Sequence, residues 1–117
     1  MKYALSTIKG GSYKVLFSNE AYIELNKLLE SESYSTIFIL VDSNTKQHCL
    51  PLFLNYFSKL NACPVLVIRA GEENKHLETC QKVWEQLSQL GADRKSLLIN
   101  LGGGVVSDLG GFIAGAF

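Results

Sequence analysis

Residues 97–108 read LLINLGGGVVSD, and this stretch decides the fold class. Leu97-Leu98-Ile99-Asn100-Leu101 is a short apolar run of the kind that forms a strand buried on both faces of a sheet. It passes at once into Gly102-Gly103-Gly104, then into a segment of helical character from Val105 to Phe117. Three glycines between a buried strand and a helix let the backbone approach an anion closely and aim free N–H groups at it, so a phosphate fits there. As a dinucleotide fingerprint the spacing GxGxxG is incomplete, because Ser107 stands where the third glycine normally allows close helix–strand packing. The competing reading is a tight turn that uses glycine only for its φ range.

Upstream, the same alternation repeats. Thr36-Ile37-Phe38-Ile39-Leu40-Val41 is a continuous, largely β-branched run that ends abruptly at Asp42. Pro51 suits the first turn of a helix running to about Leu60, where its missing N–H is not needed. Val65-Leu66-Val67-Ile68 predicts another buried strand. From Asn74 to Leu90 the residues Leu77, Cys80, Val83, Trp84, Leu87 and Leu90 form one apolar stripe, and Gly91 offers a left-handed C-terminal cap. Strand, helix, strand, helix, strand, helix predicts a Rossmann-like α/β fold, a parallel sheet with flanking helices. The N-terminus adds two short strands, Tyr3–Ile8 and Tyr13–Phe17, joined through Gly10 and Gly11 as a β-hairpin. A surface helix follows, capped by Ser18 or Asn19, with Tyr22, Leu25, Leu28 and Leu29 on one face.

Length and composition narrow the function. The chain has 117 residues, 47% of them hydrophobic, which is enough for one modest core and a single domain, 1–117. Eleven basic residues balance 11 acidic ones, so no basic field exists to hold a nucleic-acid backbone. No stretch approaches the roughly 20 apolar residues of a membrane span, and the start carries no signal-peptide pattern, which predicts a cytoplasmic protein. Cys49, Cys63 and Cys80 are odd in number and lack CxxC spacing, as expected of reduced core thiols. His48 and His76 have no partner spaced like a metal ligand. Gly111 to Phe117 is apolar, with no cap, charge or breaker, and reads as a chain cut inside a larger protein.

The residues that could carry chemistry sit after the predicted strands. Asp42 stands at the carboxyl end of one, where open α/β sheets bind ligands and a carboxylate can accept ribose hydroxyls. Asn44 could add an amide contact, and an Asx-turn is the structural alternative for both. Gly71-Glu72-Glu73-Asn74-Lys75 follows the second strand and should open at the same sheet edge. Lys75 in a first helical turn is disfavoured by the macrodipole, so an ion pair with Glu72 or a ligand phosphate would account for it; a solvated charge cluster is the alternative. Asp108 lies near the start of the last helical segment, where the dipole alone would suit it. The three loops are expected to converge on one crevice.

Together VDSNT, GEENKHLET and NLGGGVVSDLGGFIAG, in this order and spacing, resemble 3-dehydroquinate synthase over essentially the whole chain. Related sugar-phosphate cyclases share much of the third motif, and iron-type alcohol and glycerol dehydrogenases a looser version. The resemblance implies the N-terminal NAD-binding part of such an enzyme, ending before its helical metal-binding domain. It implies that Asp42 and Asn44 meet the adenosine ribose of NAD, that Glu72 and Lys75 belong to the GExxK stretch, that Gly103, Gly104 and Val105 form the pyrophosphate loop, and that Asp108 lies beside the nicotinamide end. The implied reaction converts DAHP to 3-dehydroquinate and phosphate, in the shikimate pathway of aromatic amino acid biosynthesis, with NAD as a transient redox cofactor. A divalent metal, zinc or cobalt, is held in the family by a Glu and two His that nothing here matches, so no metal ligand and no catalytic residue is assigned in this chain. A homodimer is also implied. The alternatives are a related cyclase, an iron-type polyol dehydrogenase, or a non-catalytic nucleotide-binding module.

Overall fold

A computed structural model describes residues 2–7, 13–69, 76–102 and 113. The chain opens with β1 (Lys2–Thr7) and β2 (Tyr13–Phe17), which pair antiparallel as the predicted hairpin. Helix α1 (Ser18–Ser31) follows β2 directly, with Leu25 buried and Leu28 and Leu29 half-buried against the core. Then come β3 (Ile37–Asp42), α2 (Ser43–His48), α3 (Leu50–Tyr56), a 3₁₀ turn (Ser58–Leu60), β4 (Val65–Ile68), α4 (His76–Gln89) and β5 (Leu97–Leu101).

All five strands form one sheet in the order β2-β1-β5-β3-β4. β3 is parallel to both β4 and β5, which is the predicted parallel core. The hairpin extends that core rather than standing apart, because β1 pairs antiparallel with β5, from Tyr3 opposite Leu101 to Thr7 opposite Leu97. The sheet is therefore mixed at one side.

Side-chain alternation along β3 and β5 builds two cores from one sheet. Ile39, Val41, Leu97, Ile99 and Leu101 face a cluster completed by Leu25, Leu50, Phe53, Phe57 and Leu60. Phe38, Leu40 and Leu98 face the other way, against Leu66, Ile68, Cys80, Val83, Leu87 and Ile113. Helices α1 and α3 thus cover one face and α4 the other, so the middle strands are apolar at almost every position, buried Asn100 of β5 being a polar exception.

Three sequence expectations change. The helix begun at Pro51 ends at Tyr56, short of Leu60: Phe57 leaves helical geometry at φ −109° and ψ 66°, and a 3₁₀ turn seats Leu60. Phe57 is buried with its ring 5.0 Å from that of Phe53, so packing of the two aromatics competes with helix continuation. β4 is buried on one face only: it is the last strand of the described sheet, and among the described residues no helix covers Val65 and Val67, which stay 36% and 42% exposed. On α4 the stripe is Cys80, Val83 and Leu87, with Trp84 half-buried beside it, while Leu77 and Leu90 are exposed. Gly91 does adopt the predicted left-handed conformation, φ 81°.

Cys80 is buried and Cys49 and Cys63 are half-buried, all three as free thiols. Burial pushes the thiols of Cys63 and Cys80 above their ordinary value, which disfavours the reactive thiolate.

Candidate functional site: the carboxyl rim of the parallel strands

The connection from β3 leads outward to β4, and the next connection returns across β3 to place β5 on its other side. This reversal of direction makes β3 and β5 the switch point of the sheet, and open α/β sheets bind ligands at the carboxyl ends of such strands. Strand register makes the rim level. Asp42 lies opposite Ile68 and Val41 opposite Leu101, so one further step brings Gly102 to the height of Asp42. The ends of β3, β4 and β5 therefore share one rim, as the convergence of three loops requires.

Asp42 closes β3 and caps α2. Its Oδ1 accepts the Thr45 amide at 2.8 Å, and its own amide donates to Thr45 Oγ1 at 3.0 Å. This reciprocal capping box fixes the half-buried Asp42 backbone at φ −96°, ψ 176°. The structural alternative raised for Asp42 is thus realised in the form of a cap, yet only Oδ1 is engaged by the described residues, and Oδ2 retains acceptor capacity. Asn44 sits exposed in the first turn of α2. Thr45 was not singled out by sequence reasoning, although the spacing of Asp42 and Thr45 carries the capping signal.

Gly102, the residue after β5, is buried with φ 157°, a region that residues bearing a side chain rarely occupy. The first glycine of the run therefore has a backbone reason to be glycine. Glu72, Lys75, Gly103, Gly104, Val105 and Asp108 lie outside the described residues. Their flanks do not: Arg69 follows β4 at the rim, and α4 begins at His76, next after Lys75.

The opposite, amino rim holds a second polar cluster that the sequence did not announce. Ser35 Oγ donates to Asp93 Oδ1 at 2.6 Å, the Lys95 amide donates to the same oxygen at 2.8 Å, and the Asp93 amide donates to Ser96 Oγ at 3.0 Å. The Ser35 hydrogen bond, then the Lys95 amide, hold the Asp93 carboxyl below its ordinary value. These bonds lock the loop entering β3 to the loop entering β5. Among the described residues no group of three His, Cys, Asp or Glu could hold a metal ion, and no helix is long and apolar enough to cross a membrane.

Residues 65–117 match the 3-dehydroquinate synthase N-terminal family. The chain is 41% identical over 104 residues to 3-dehydroquinate synthase of Parabacteroides distasonis, covering 89% of this chain and 29% of that protein. It is 36% identical over 93 residues to the Pyrococcus furiosus 3-dehydroquinate synthase, covering 80% and 28% respectively. The chain thus spans less than a third of the length of these relatives. In fold it is similar to 2-deoxy-scyllo-inosose synthase, solved in complex with carbaglucose-6-phosphate, NAD+ and Co2+, with a TM-score of 0.68, 22% identity, and coverage of 97% of this chain and 31% of that one. The matched sequences make the chain similar, over most of its length, to the N-terminal part of 3-dehydroquinate synthases.

Proposed function

We propose that residues 1–117 form the N-terminal NAD-binding domain of a 3-dehydroquinate synthase, which converts DAHP to 3-dehydroquinate and phosphate in the cytoplasm. The observation that carries the reading is the shared carboxyl rim, where Asp42 ends β3 and Gly102 directly follows the neighbouring β5 at the switch in strand order. Similarity to the N-terminal part of 3-dehydroquinate synthases and the NAD+ bound by the 2-deoxy-scyllo-inosose synthase neighbour support it.

In this reading Asp42 accepts a hydroxyl of the adenosine ribose and Asn44 adds an amide contact. Gly103, Gly104 and Val105 present backbone N–H groups to the diphosphate, Glu72 and Lys75 flank it, and Asp108 lies toward the nicotinamide end. Gly102 fits such a role, since a Cβ is disfavoured at its φ of 157° where the strand turns into the bend. Bound NAD would supply a reversible hydride acceptor. The residues of this chain bind and orient it, while the divalent metal, zinc or cobalt, and the catalytic groups belong to a helical domain in the longer relatives. A homodimer is part of the same proposal.

Titration of the 15N-labelled chain with NAD tests it. Amide shifts should move at Asp42 to Thr45 and from Gly102 onward, with weak affinity, and a spectrum unchanged at those amides overturns the nucleotide reading. A coupled phosphate-release assay with DAHP should give no turnover for the 117 residues alone; turnover would show that the chemistry does not need the helical domain.

A further inference from the structure

Trp84 is the only tryptophan in the chain, and its surroundings tie α4 to the segment beyond the glycine bend. Its Nε1–H donates to the Ile113 carbonyl at 3.2 Å, across 29 residues of sequence. Ile113 is helical, fully buried, and packs in the same cluster as Cys80, Val83 and Leu87 of α4, with Trp84 half-buried against it. Ile113 lies nine residues beyond Gly104 and five beyond Asp108, so this contact anchors the chain shortly after both. The same helix begins one residue after Lys75. α4 therefore touches the flanks of two of the three loops assigned to the cofactor.

We propose that Trp84 is a positioning residue for the diphosphate loop: its indole N–H and the burial of Ile113 register the segment after the glycine bend against α4. The inference rests on the nucleotide reading above and adds to it a residue that touches no ligand. The physical need is clear from the chemistry of an anion site. Backbone N–H groups bind a diphosphate well only when their directions are fixed beforehand, and glycines alone cannot fix them. A hydrogen bond from a packed aromatic to the Ile113 carbonyl fixes one point of the chain beyond the bend, and the half-buried carbonyl has little water to replace the lost donor.

The single tryptophan permits a clean test, because a tryptophan auxotroph can replace Trp84 by benzothienylalanine, which keeps the ring shape and lacks the N–H. Fluorotryptophan, which keeps the N–H, is the conservative control. Binding of ADP-ribose and of adenosine to the 15N-labelled chain is followed by amide shifts, with far-UV circular dichroism reporting the melt. The benzothienyl chain should bind ADP-ribose about five-fold more weakly, the scale of one lost hydrogen bond, with adenosine binding unchanged and fluorotryptophan behaving as the natural residue. Unchanged ADP-ribose affinity, or an equal loss for adenosine, overturns the positioning role while leaving the nucleotide reading in place. No response of the unsubstituted chain to ADP-ribose overturns both.

Discussion

Asp42 is at once a helix cap and the residue proposed to meet a ribose, and two substitutions separate these roles. Asn caps a helix about as well as Asp, whereas Ala loses the cap at about 1 kcal/mol. Asp42→Asn should therefore leave the melting temperature nearly unchanged and weaken NAD about ten-fold, as expected when a charge-assisted hydrogen bond becomes a neutral one. Asp42→Ala should lose both binding and stability, and calorimetry with thermal melts distinguishes the outcomes. Asp93 answers to pH instead. Hydrogen bonds from Ser35 and the Lys95 amide depress its carboxyl from an ordinary value of 3.8. A depressed acid contributes stability that is present above its unfolded value and is lost as pH falls through the lower folded value. The stability advantage of the natural chain over Asp93→Asn should hold at neutral pH and shrink below pH 3.8, read from denaturant midpoints across an acid series. An advantage that stays constant through this window would mean that the carboxylate charge does not matter at the amino rim.

Strand β4 shows what a run of apolar letters conveys about an element and what it omits. Val65 to Ile68 are all aliphatic, so the sequence predicted a strand and did so at the right residues; it could not say that β4 ends the described sheet with one face uncovered. Coverage depends on where α1, α3 and α4 land, which is a long-range outcome that local periodicity does not encode. The consequence is measurable as a contrast between neighbours. Leu66→Ala empties a site under α4 and should cost about 2–4 kcal/mol, whereas Val67→Thr, on the open face, should stay within about 0.5 kcal/mol. Equal losses in urea titrations would show that the open face is covered in solution. The same limit explains the early end of α3 at Tyr56, where burial of Phe57 beside Phe53 outweighed helix propensity. Local signals with a fixed geometry fared better: Gly91 as a left-handed cap and the apolar run of β5 stand where they were read.

At the scale of the molecule, order and spacing of the motifs made the parallel core legible, while the attachment of the hairpin did not show. Nothing in Tyr3 to Thr7 reveals that β1 completes the sheet against β5, because antiparallel pairing of distant segments has no local signature. Asp42 and the glycine run stood out in the sequence as candidates, and Thr45, three residues from Asp42, carries a local capping signal, whereas the partner of Trp84 emerges only from tertiary geometry. One sheet supporting two cores also predicts how the chain unfolds. Phe53 lies in the cluster under α1 and α3, and Trp84 reports from the α4 side, with β3 and β5 sending alternate side chains to each. A cavity at Phe53 cannot loosen one face without tilting strands that the other face shares. Phe53→Ala should cost about 3–5 kcal/mol and shift the Trp84 fluorescence midpoint by the same amount as the circular-dichroism midpoint. Coincident transitions are the mark of a single cooperative unit. If Trp84 keeps its natural midpoint while secondary structure melts early, the two faces fold separately, and α4 cannot serve as the fixed support for the glycine bend.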